Sequence, residues 1–168
     1  MTTSLPAGAR APGRDAFRTV LGQFATGVTV LTAGRRAPRG MTANSFTSVS
    51  LDPPLVLVCV ARTASAHAAV LGEGAFAVSI LSAGQSRPAR HFADHHRARE
   101  GGEFDPVDTF PGPVTGAPLI SGALAWLECS VAAVHDGGDH SIVVGSVLGL
   151  SHGTPGEPLL YFGGAFRP

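Results

Sequence analysis

The chain contains no lysine, because all twelve of its basic residues are arginine, and twelve acidic residues balance them. This absence excludes a P-loop lysine, a Schiff-base lysine and a lysine general base. The arginines are scattered along the chain, whereas nucleic-acid binding needs a concentrated cationic face. We therefore expect no nucleic-acid partner and no chemistry that depends on an amine side chain.

Cysteine and long apolar runs are equally scarce. The two cysteines, Cys59 and Cys129, lie seventy positions apart within apolar patterns, which favours buried thiols over a disulfide. No run approaches the roughly eighteen apolar residues of a membrane span, and the first fifteen residues lack a signal-peptide core. The sequence predicts a cytoplasmic protein without membrane association, with a flexible tail at 1–14 and one domain at 15–168.

The composition is rich in apolar residues for a chain of 168 residues, with 44% hydrophobic and 14% charged. A domain of this length buries roughly two-thirds of the surface that its unfolded chain exposes. A large subunit interface would account for the excess of apolar residues without exposed patches. We therefore expect a homodimer.

Apolar periodicity predicts many strands and few helices. A helix capped by Asp15 and ended by Gly27 has one apolar face, and Ser65 can cap a second helix closed by Gly72. Residues 34–40 read as a turn and 97–118 as a long loop. This pattern indicates an antiparallel barrel rather than a doubly wound parallel sheet. The expected strands are 28–32, 55–60, 75–81, 123–134, 140–150 and 159–162, with a third helix at 85–96 and a hairpin turn at 135–139.

The most informative segment is 42–50, where six of nine side chains are hydroxyls or amides. An apolar run at 55–60 follows it, after Asp52-Pro53-Pro54. Short neutral donors and acceptors beside a buried strand suit a flat ligand with hydrogen-bonding edge atoms, and a flavin ring is such a ligand. The six polar residues are Thr42, Asn44, Ser45, Thr47, Ser48 and Ser50.

Together with 24–30 (Phe-Ala-Thr-Gly-Val-Thr-Val) and 138–142 (Gly-Asp-His-Ser-Ile), this segment resembles the flavin reductase family. The resemblance runs from about Phe17 to Arg167. It implies a closed antiparallel split β-barrel, the FMN-binding split barrel, with flanking helices in a homodimer. It also implies reduction of FMN or FAD by NADH or NADPH, with the reduced flavin diffusing to a separate monooxygenase.

The resemblance assigns most candidate residues to the flavin. Arg62 and the helix start at Ser65 would hold a phosphate, because free N–H groups and the helix dipole favour an anion. Phe92 matches an aromatic residue beside the flavin, and Ser79 departs from the asparagine of many relatives. The remaining flavin candidates border the ring (Thr42, Ala43, Asn44, Ser45), the ribityl chain or phosphate (Ser48, Val49, Ser50), and the passage between ring and phosphate (Cys59, Val60, Ala61).

Three residues are assigned to the nicotinamide by the same resemblance: His140, Tyr161 and Arg167. Hydride transfer needs no protein base; it needs the nicotinamide C4 held about 3–3.5 Å from flavin N5. His140 is the predicted catalytic residue, and it would orient the dinucleotide. No G-x-G-x-x-G motif is present, so a Rossmann site is not supported.

Alternative functions remain to be weighed against the enzyme. His91 and His95 could chelate a metal from one helix, but no third ligand accompanies them, so we expect no metal. The G-x-S-x-G pattern at 149–153 lacks the following helix that a hydrolase needs. A flavin carrier or sensor on the same barrel is the alternative, and the nicotinamide candidates favour the enzyme over it.

Overall fold

The computed structural model describes residues 12–94 and 102–168, so most of the expected tail, together with His95 and His96, lies outside the described residues. The chain is mainly β with a few helices, as predicted. The helices are α1 (Arg14–Leu21), α2 (Ser65–Glu73) and α3 (Ser86–Ala93), with a 3₁₀ turn at Ala83–Gln85. The strands are β1 (Thr26–Gly27), β2 (Thr29–Ala33), β3 (Arg39–Ala43), β4 (Thr47–Leu51), β5 (Pro54–Ala61), β6 (Ala75–Ile80), β7 (Thr109–Pro111), β8 (Pro118–Ile120), β9 (Ala125–Gly137), β10 (His140–His152), β11 (Leu160–Phe162) and β12 (Ala165–Arg167).

Seven strands form one sheet in the order β3-β2-β6-β9-β10-β5-β4, and every pairing is antiparallel. The predicted β9–β10 hairpin is present, but β9 continues to Gly137 instead of ending at 134. Only Gly138 and Asp139 form the turn, and Gly138 has a φ of 75°. Glycine is favoured at that position because positive φ costs it little.

Several strands are missing from the sequence prediction. β3 includes the end of the expected turn at 34–40, and β4 has an exposed, hydroxyl-rich sequence that shows no apolar alternation. β7 and β8 form a two-stranded sheet that continues just past the loop expected at 97–118. β12 pairs with β11, and β11 pairs with β1, in a separate small sheet.

The helix boundaries also differ from the prediction. Gly13, not Asp15, is the N-cap of α1, and the helix ends at Gly22 instead of reaching Gly27. None of its residues is buried, so the predicted apolar face is exposed in the single chain. For α2 the cap is Ala64, and the helix ends at Gly74, whose φ of 62° closes it in place of Gly72.

The core lies between the main sheet and α2 and α3. Two large clusters of buried side chains are present, one around Phe76 and α2 and the other around Phe92 and α3. Gly145 lets Phe76 pack against β10, because a Cβ there would lie 2.5 Å from the Phe76 Cζ. No helix within the described residues is both long enough and apolar enough to cross a membrane.

Candidate functional site

The alternation of side chains along β5 and β10 defines two faces of the main sheet. Ala61 lies opposite His140, and Cys59 lies opposite Ile142. All four are half-buried, and cross-strand partners share a face of the sheet. This half-buried face therefore brings together three of the predicted site residues, Cys59, Ala61 and His140.

Val60 points the other way. Its side chain is fully buried in the core, opposite Ser141, because alternate residues of a strand face opposite sides. With its side chain in the core, Val60 has only its backbone available to contact a ligand on the half-buried face, and its assignment to the flavin site stays a prediction.

Ser45 connects the β3–β4 loop to β5. Its Oγ accepts a hydrogen bond from the Cys59 N–H at 3.0 Å and donates one to the Cys59 carbonyl at 3.2 Å. The pairing of β4 with β5 begins only at Thr47 and Leu57, so Ser45 satisfies a stretch of β5 backbone that no strand covers. The predicted ring-bordering serine is thus also a structural brace.

The rest of the hydroxyl-rich segment contains two residues that make internal hydrogen bonds and several that are exposed. Thr42 donates from its Oγ1 to the Ala89 carbonyl on α3 at 2.6 Å. Ala43 is buried, and its carbonyl accepts from the Thr29 hydroxyl at 2.8 Å. The members that face solvent are Asn44, Thr47, Ser48 and Val49, and Ser50 is half-buried.

Arg62 follows β5 and contacts the base of the β9–β10 hairpin. Its backbone N–H donates to the Asp139 carbonyl at 3.1 Å, and its Nε donates to the His140 carbonyl at 3.3 Å. Its Nη2 forms an ion pair with Asp136. Within the described part of the chain Nη1 has no hydrogen bond, so one edge of the guanidinium stays open to an anion.

His140 is held by the residue before it. Its Nδ1 lies 2.7 Å from the Asp139 Oδ1. This hydrogen bond to His140 is the main cause that lowers the pKa of the Asp139 carboxyl below its ordinary value of 3.8. Asp139 is therefore ionised at neutral pH and can orient the imidazole, with Nε2 left for a ligand.

The start of α2 has the properties of an anion site. Ser65 is its first residue, and no side chain caps the helix. Among the described residues no acceptor is found for the N–H of Ser65 or of Ala66. Two residues along, the His67 Nε2 lies 2.9 Å from the Oγ of buried Ser141. Free N–H groups at a helix start attract anions, and Arg62 lies three residues away in sequence.

The remaining predicted residues lie elsewhere. Phe92 is buried, with Phe104 and His91 in ring contact. Tyr161 packs edge-on against Phe166 at 5.6 Å in the small sheet, and Arg167 ends that sheet in an exposed position. Arg90 of α3 lies 5.5 Å above the Phe166 ring, so the cation–π contact joins α3 to the C-terminal strands.

The structure does not support a catalytic or metal-binding role for the G-x-S-x-G pattern or for His91. Gly149 and Ser151 lie inside β10, so the serine is not on the strand-to-helix elbow that a hydrolase requires. The His91 Nε2 contacts the Glu103 carbonyl at 2.8 Å. Across residues 12–94 and 102–168 no group of three or more His, Cys, Asp or Glu could hold a metal.

Sequence reasoning missed three residues near the site: His67, Asp136 and Ser141. Each depends on a cross-strand or helix–strand register that apolar periodicity does not specify. The available signal for Asp136 is its place in a hairpin that carries two carboxylates and pairs with the strand preceding Arg62.

The described residues thus combine a half-buried face with an open arginine edge and a free helix start, and the last two offer hydrogen-bond donors to an anion. Residues 21–168 match the family model described as a flavin reductase like domain. The chain is 52% identical over 154 residues to the NADH-dependent FAD reductase of Streptomyces globisporus, covering 92% of this chain and 85% of that protein. The chain belongs to the flavin reductase family.

Two further relatives are components of larger systems. The chain is 40% identical to HsaB, the reductase subunit of a flavin-dependent monooxygenase from Rhodococcus jostii, over 89% of this chain and 75% of that protein. It also superposes on the solved structure of BorF, the flavin reductase component of a bacterial two-component tryptophan halogenase. That superposition has a TM-score of 0.88 at 47% identity, covering 92% of this chain and 97% of BorF.

Proposed function

We propose that this chain is an NADH-dependent flavin reductase that reduces FAD or FMN and supplies the reduced flavin to a separate monooxygenase. The observation that carries the proposal is the grouping of the half-buried β5–β10 face, the open edge of Arg62 and the free start of α2. A flavin has a flat ring with neutral edge atoms and a phosphate at the far end of its ribityl chain, so its two ends match the two parts of this site.

The flavin side of the proposal follows the geometry. The ring would lie against Cys59 and Ala61, bordered by the loop that Ser45 ties to β5. The phosphate would accept hydrogen bonds from the α2 start at Ser65 and from the Arg62 guanidinium. Buried residues of the predicted set (Ala43, Val60 and Phe92) and half-buried Thr42 would support this face from behind. Exposed Asn44, Ser48 and Val49 and half-buried Ser50 would contact the ring edge or ribityl chain.

The hydride donor would approach at the base of the hairpin. His140 shares the half-buried face with Ala61, so a nicotinamide lying over the ring would meet its imidazole. Tyr161 and Arg167 are proposed to contact the dinucleotide from the small sheet. When bound, the flavin accepts the hydride; the residues of the chain hold the two rings in contact and exclude water, and no protein base is needed.

Three further properties belong to this proposal. The family resemblance supports closure of the seven-stranded sheet into a split barrel, and Ser45 already bridges β5 to the loop following the edge strand β3. The exposed apolar face of α1 supports a homodimer. A cytoplasmic location fits an enzyme that depends on NADH and on diffusion of reduced flavin to its partner.

The test is steady-state oxidation of NADH by the purified protein with FAD, FMN or no added flavin. We expect flavin-dependent turnover that saturates in both substrates, and a stimulated oxygenase when reduced flavin is passed across a dialysis membrane. Tight flavin binding without NADH oxidation would instead identify a flavin carrier, and absence of both would reject the site.

A further inference from the structure

Residues 62–67 and residues 136–141 contact each other at two points. At the base of the hairpin, Arg62 pairs with the Asp136 carboxylate and donates to the backbone carbonyls of Asp139 and His140. On the core face, His67 contacts Ser141. The two segments carry the proposed subsites: the start of α2 for the flavin phosphate, and His140 for the hydride donor.

The His67–Ser141 contact is the most buried of this set, with half-buried His67 at one end and buried Ser141 at the other. Ser141 is 4% exposed, whereas the side chains of Arg62 and Asp136 are 46% and 82% exposed. An exposed ion pair contributes little and is screened by solvent. A buried hydrogen bond contributes more, because breaking it leaves a polar group without its water.

Because His67 lies in the first turn of α2, its hydrogen bond to Ser141 can fix the orientation of the helix start. His67 is the third residue of α2, and its own N–H donates to the Ala64 carbonyl at 3.0 Å. Apolar contacts from Ala66 and Val70 hold α2 on the core, but apolar packing is not directional. The hydrogen bond to Ser141 is directional, so it sets the rotation of the first turn relative to β10.

We propose that His67 is a positioning residue for the flavin reductase reaction, acting through its hydrogen bond to Ser141 to hold the phosphate-binding start of α2 in register with His140. The proposal rests on the function proposed above. It predicts that the His67–Ser141 bond affects the binding of both ligands, whereas a residue that touches only one subsite affects only one ligand.

The variants are Ser141→Ala, Ser141→Thr, His67→Ala and His67→Gln, compared with Thr32→Val. Thr32 is a matched control because its buried hydroxyl also makes one hydrogen bond, to the Pro118 carbonyl at 2.6 Å, outside the site. His67→Gln and Ser141→Thr keep a polar partner at each end of the bond. Dissociation constants for FMN and riboflavin, and the KM for NADH, are measured on each full-length variant.

We expect Ser141→Ala and His67→Ala to weaken FMN by about three- to tenfold while riboflavin changes by less than about twofold, and to raise the KM for NADH by a similar factor. Ser141→Thr and His67→Gln should recover most of the loss. Combining the two alanine substitutions should cost no more than either one alone, because both remove the same bond.

The proposal is overturned if FMN and riboflavin weaken equally, or if neither changes more than it does in Thr32→Val. Amide hydrogen exchange of the unliganded protein separates this outcome from failure of the proposed function. Faster exchange at 67–70 and 140–142 in Ser141→Ala is expected whether or not the wild-type protein reduces flavin. The helix is followed at 67–70 because these amides come after the N–H groups of Ser65 and Ala66, which have no acceptor among the described residues. Unchanged exchange would show that the bond positions nothing.

Discussion

At the scale of single residues, the site is built from side chains with two duties. Ser45 braces β5 and also borders the proposed ring position, and Arg62 anchors the hairpin while keeping one edge of its guanidinium open. These side chains can make both kinds of contact because a hydroxyl has one donor and two acceptor sites and a guanidinium has five donors. A residue can therefore hold the scaffold and still contact a ligand.

His140 provides the first prediction at this scale. Replacing it with alanine should raise the KM for NADH by about five- to a hundredfold with a smaller fall in kcat, because an orienting hydrogen bond of roughly 1–3 kcal/mol is lost. The flavin dissociation constant should stay within about threefold. Stopped-flow reduction at saturating flavin separates the two effects.

His152→Ala is the matched control, because His152 is an exposed histidine at the opposite end of the same strand, paired with Ala125. It should leave both constants unchanged. A collapse of flavin affinity in His140→Ala, with an unaltered dependence on NADH, would place His140 in the flavin site or the core.

Cys129 provides the second prediction. Burial, with a smaller effect of the Glu128 carboxylate, raises the pKa of its thiol from 9.0 to about 12. The unfolded chain therefore loses this proton before the folded one does, and the free energy of unfolding falls as pH rises above 9. At pH 10.5 the thiol accounts for at most ~2 kcal/mol of that fall.

Urea unfolding of the wild type and of Cys129→Ala at pH 8 and pH 10.5 measures this contribution. The variant should be less stable than the wild type at pH 8, because it leaves a cavity. The difference between the two proteins should shrink at the higher pH. An equal difference at both values would show that the buried thiol does not titrate in this range.

At the scale of elements, the sequence predicted the strands whose buried residues give a repeating apolar pattern. It missed the strands that are defined only by their pairing with a neighbouring strand. β5, β6, β9 and β10 are buried on at least one face, so their apolar patterns identify them. β4 is an exposed, hydroxyl-rich edge strand, and such a sequence resembles a turn. Only its pairing with β5 makes it a strand.

The same reasoning applies to the site. The residue types of the hydroxyl-rich segment indicated a flavin, the family resemblance assigned His140 of the hairpin to the nicotinamide, and the sheet brings Cys59, Ala61 and His140 to one face. Sequence alone did not show that Val60 and Ala43 face the core, or that Asp136 pairs with Arg62. These facts depend on the register of each strand and on the exact hairpin turn. A register shift of one residue would move every side chain of the strand to the opposite face of the sheet.

The start of α2 carries a prediction about ligand charge. Arg62→Ala and Ser65→Ala should weaken FMN more than riboflavin, which lacks the phosphate. For Arg62 the FMN loss should be about ten- to a hundredfold, the value of a charge-assisted hydrogen bond. Isothermal titration with both ligands measures the ratio.

Arg35→Ala is the control for this experiment. The Arg35 Nε and Nη2 donate to the carbonyls of Thr115 and Val114 at 2.7 and 3.3 Å, so Arg35 also clamps a turn but lies outside the site. Its removal should leave the FMN-to-riboflavin ratio unchanged. Equal losses of both ligands in Arg62→Ala would show that Arg62 does not read the phosphate.

At the scale of the whole molecule, the single chain leaves apolar surface that a soluble monomer would not need. The clearest area is the α1 patch, formed by side chains that are each more than half exposed: Phe17, Val20, Leu21 and Phe24. Their spacing of three and four residues places them on one side of the segment. Monomeric proteins rarely expose a contiguous area of this kind.

The α1 patch therefore predicts a dimer in solution, with a mass twice 17.1 kDa. Val20→Asp places a charge at the centre of the patch, where burial in an interface would be costly, and should shift sedimentation at micromolar concentration toward the monomer. Leu71→Asp is the matched control, because Leu71 is a similarly exposed leucine on α2, outside the patch.

If the wild type itself sediments as a monomer across the micromolar range, the patch has another occupant. If both variants remain dimeric, the interface lies on other exposed apolar residues, such as Leu148 and Leu150 of β10. Far-ultraviolet circular dichroism on each variant establishes that a shift in mass reflects a lost interface rather than a lost fold.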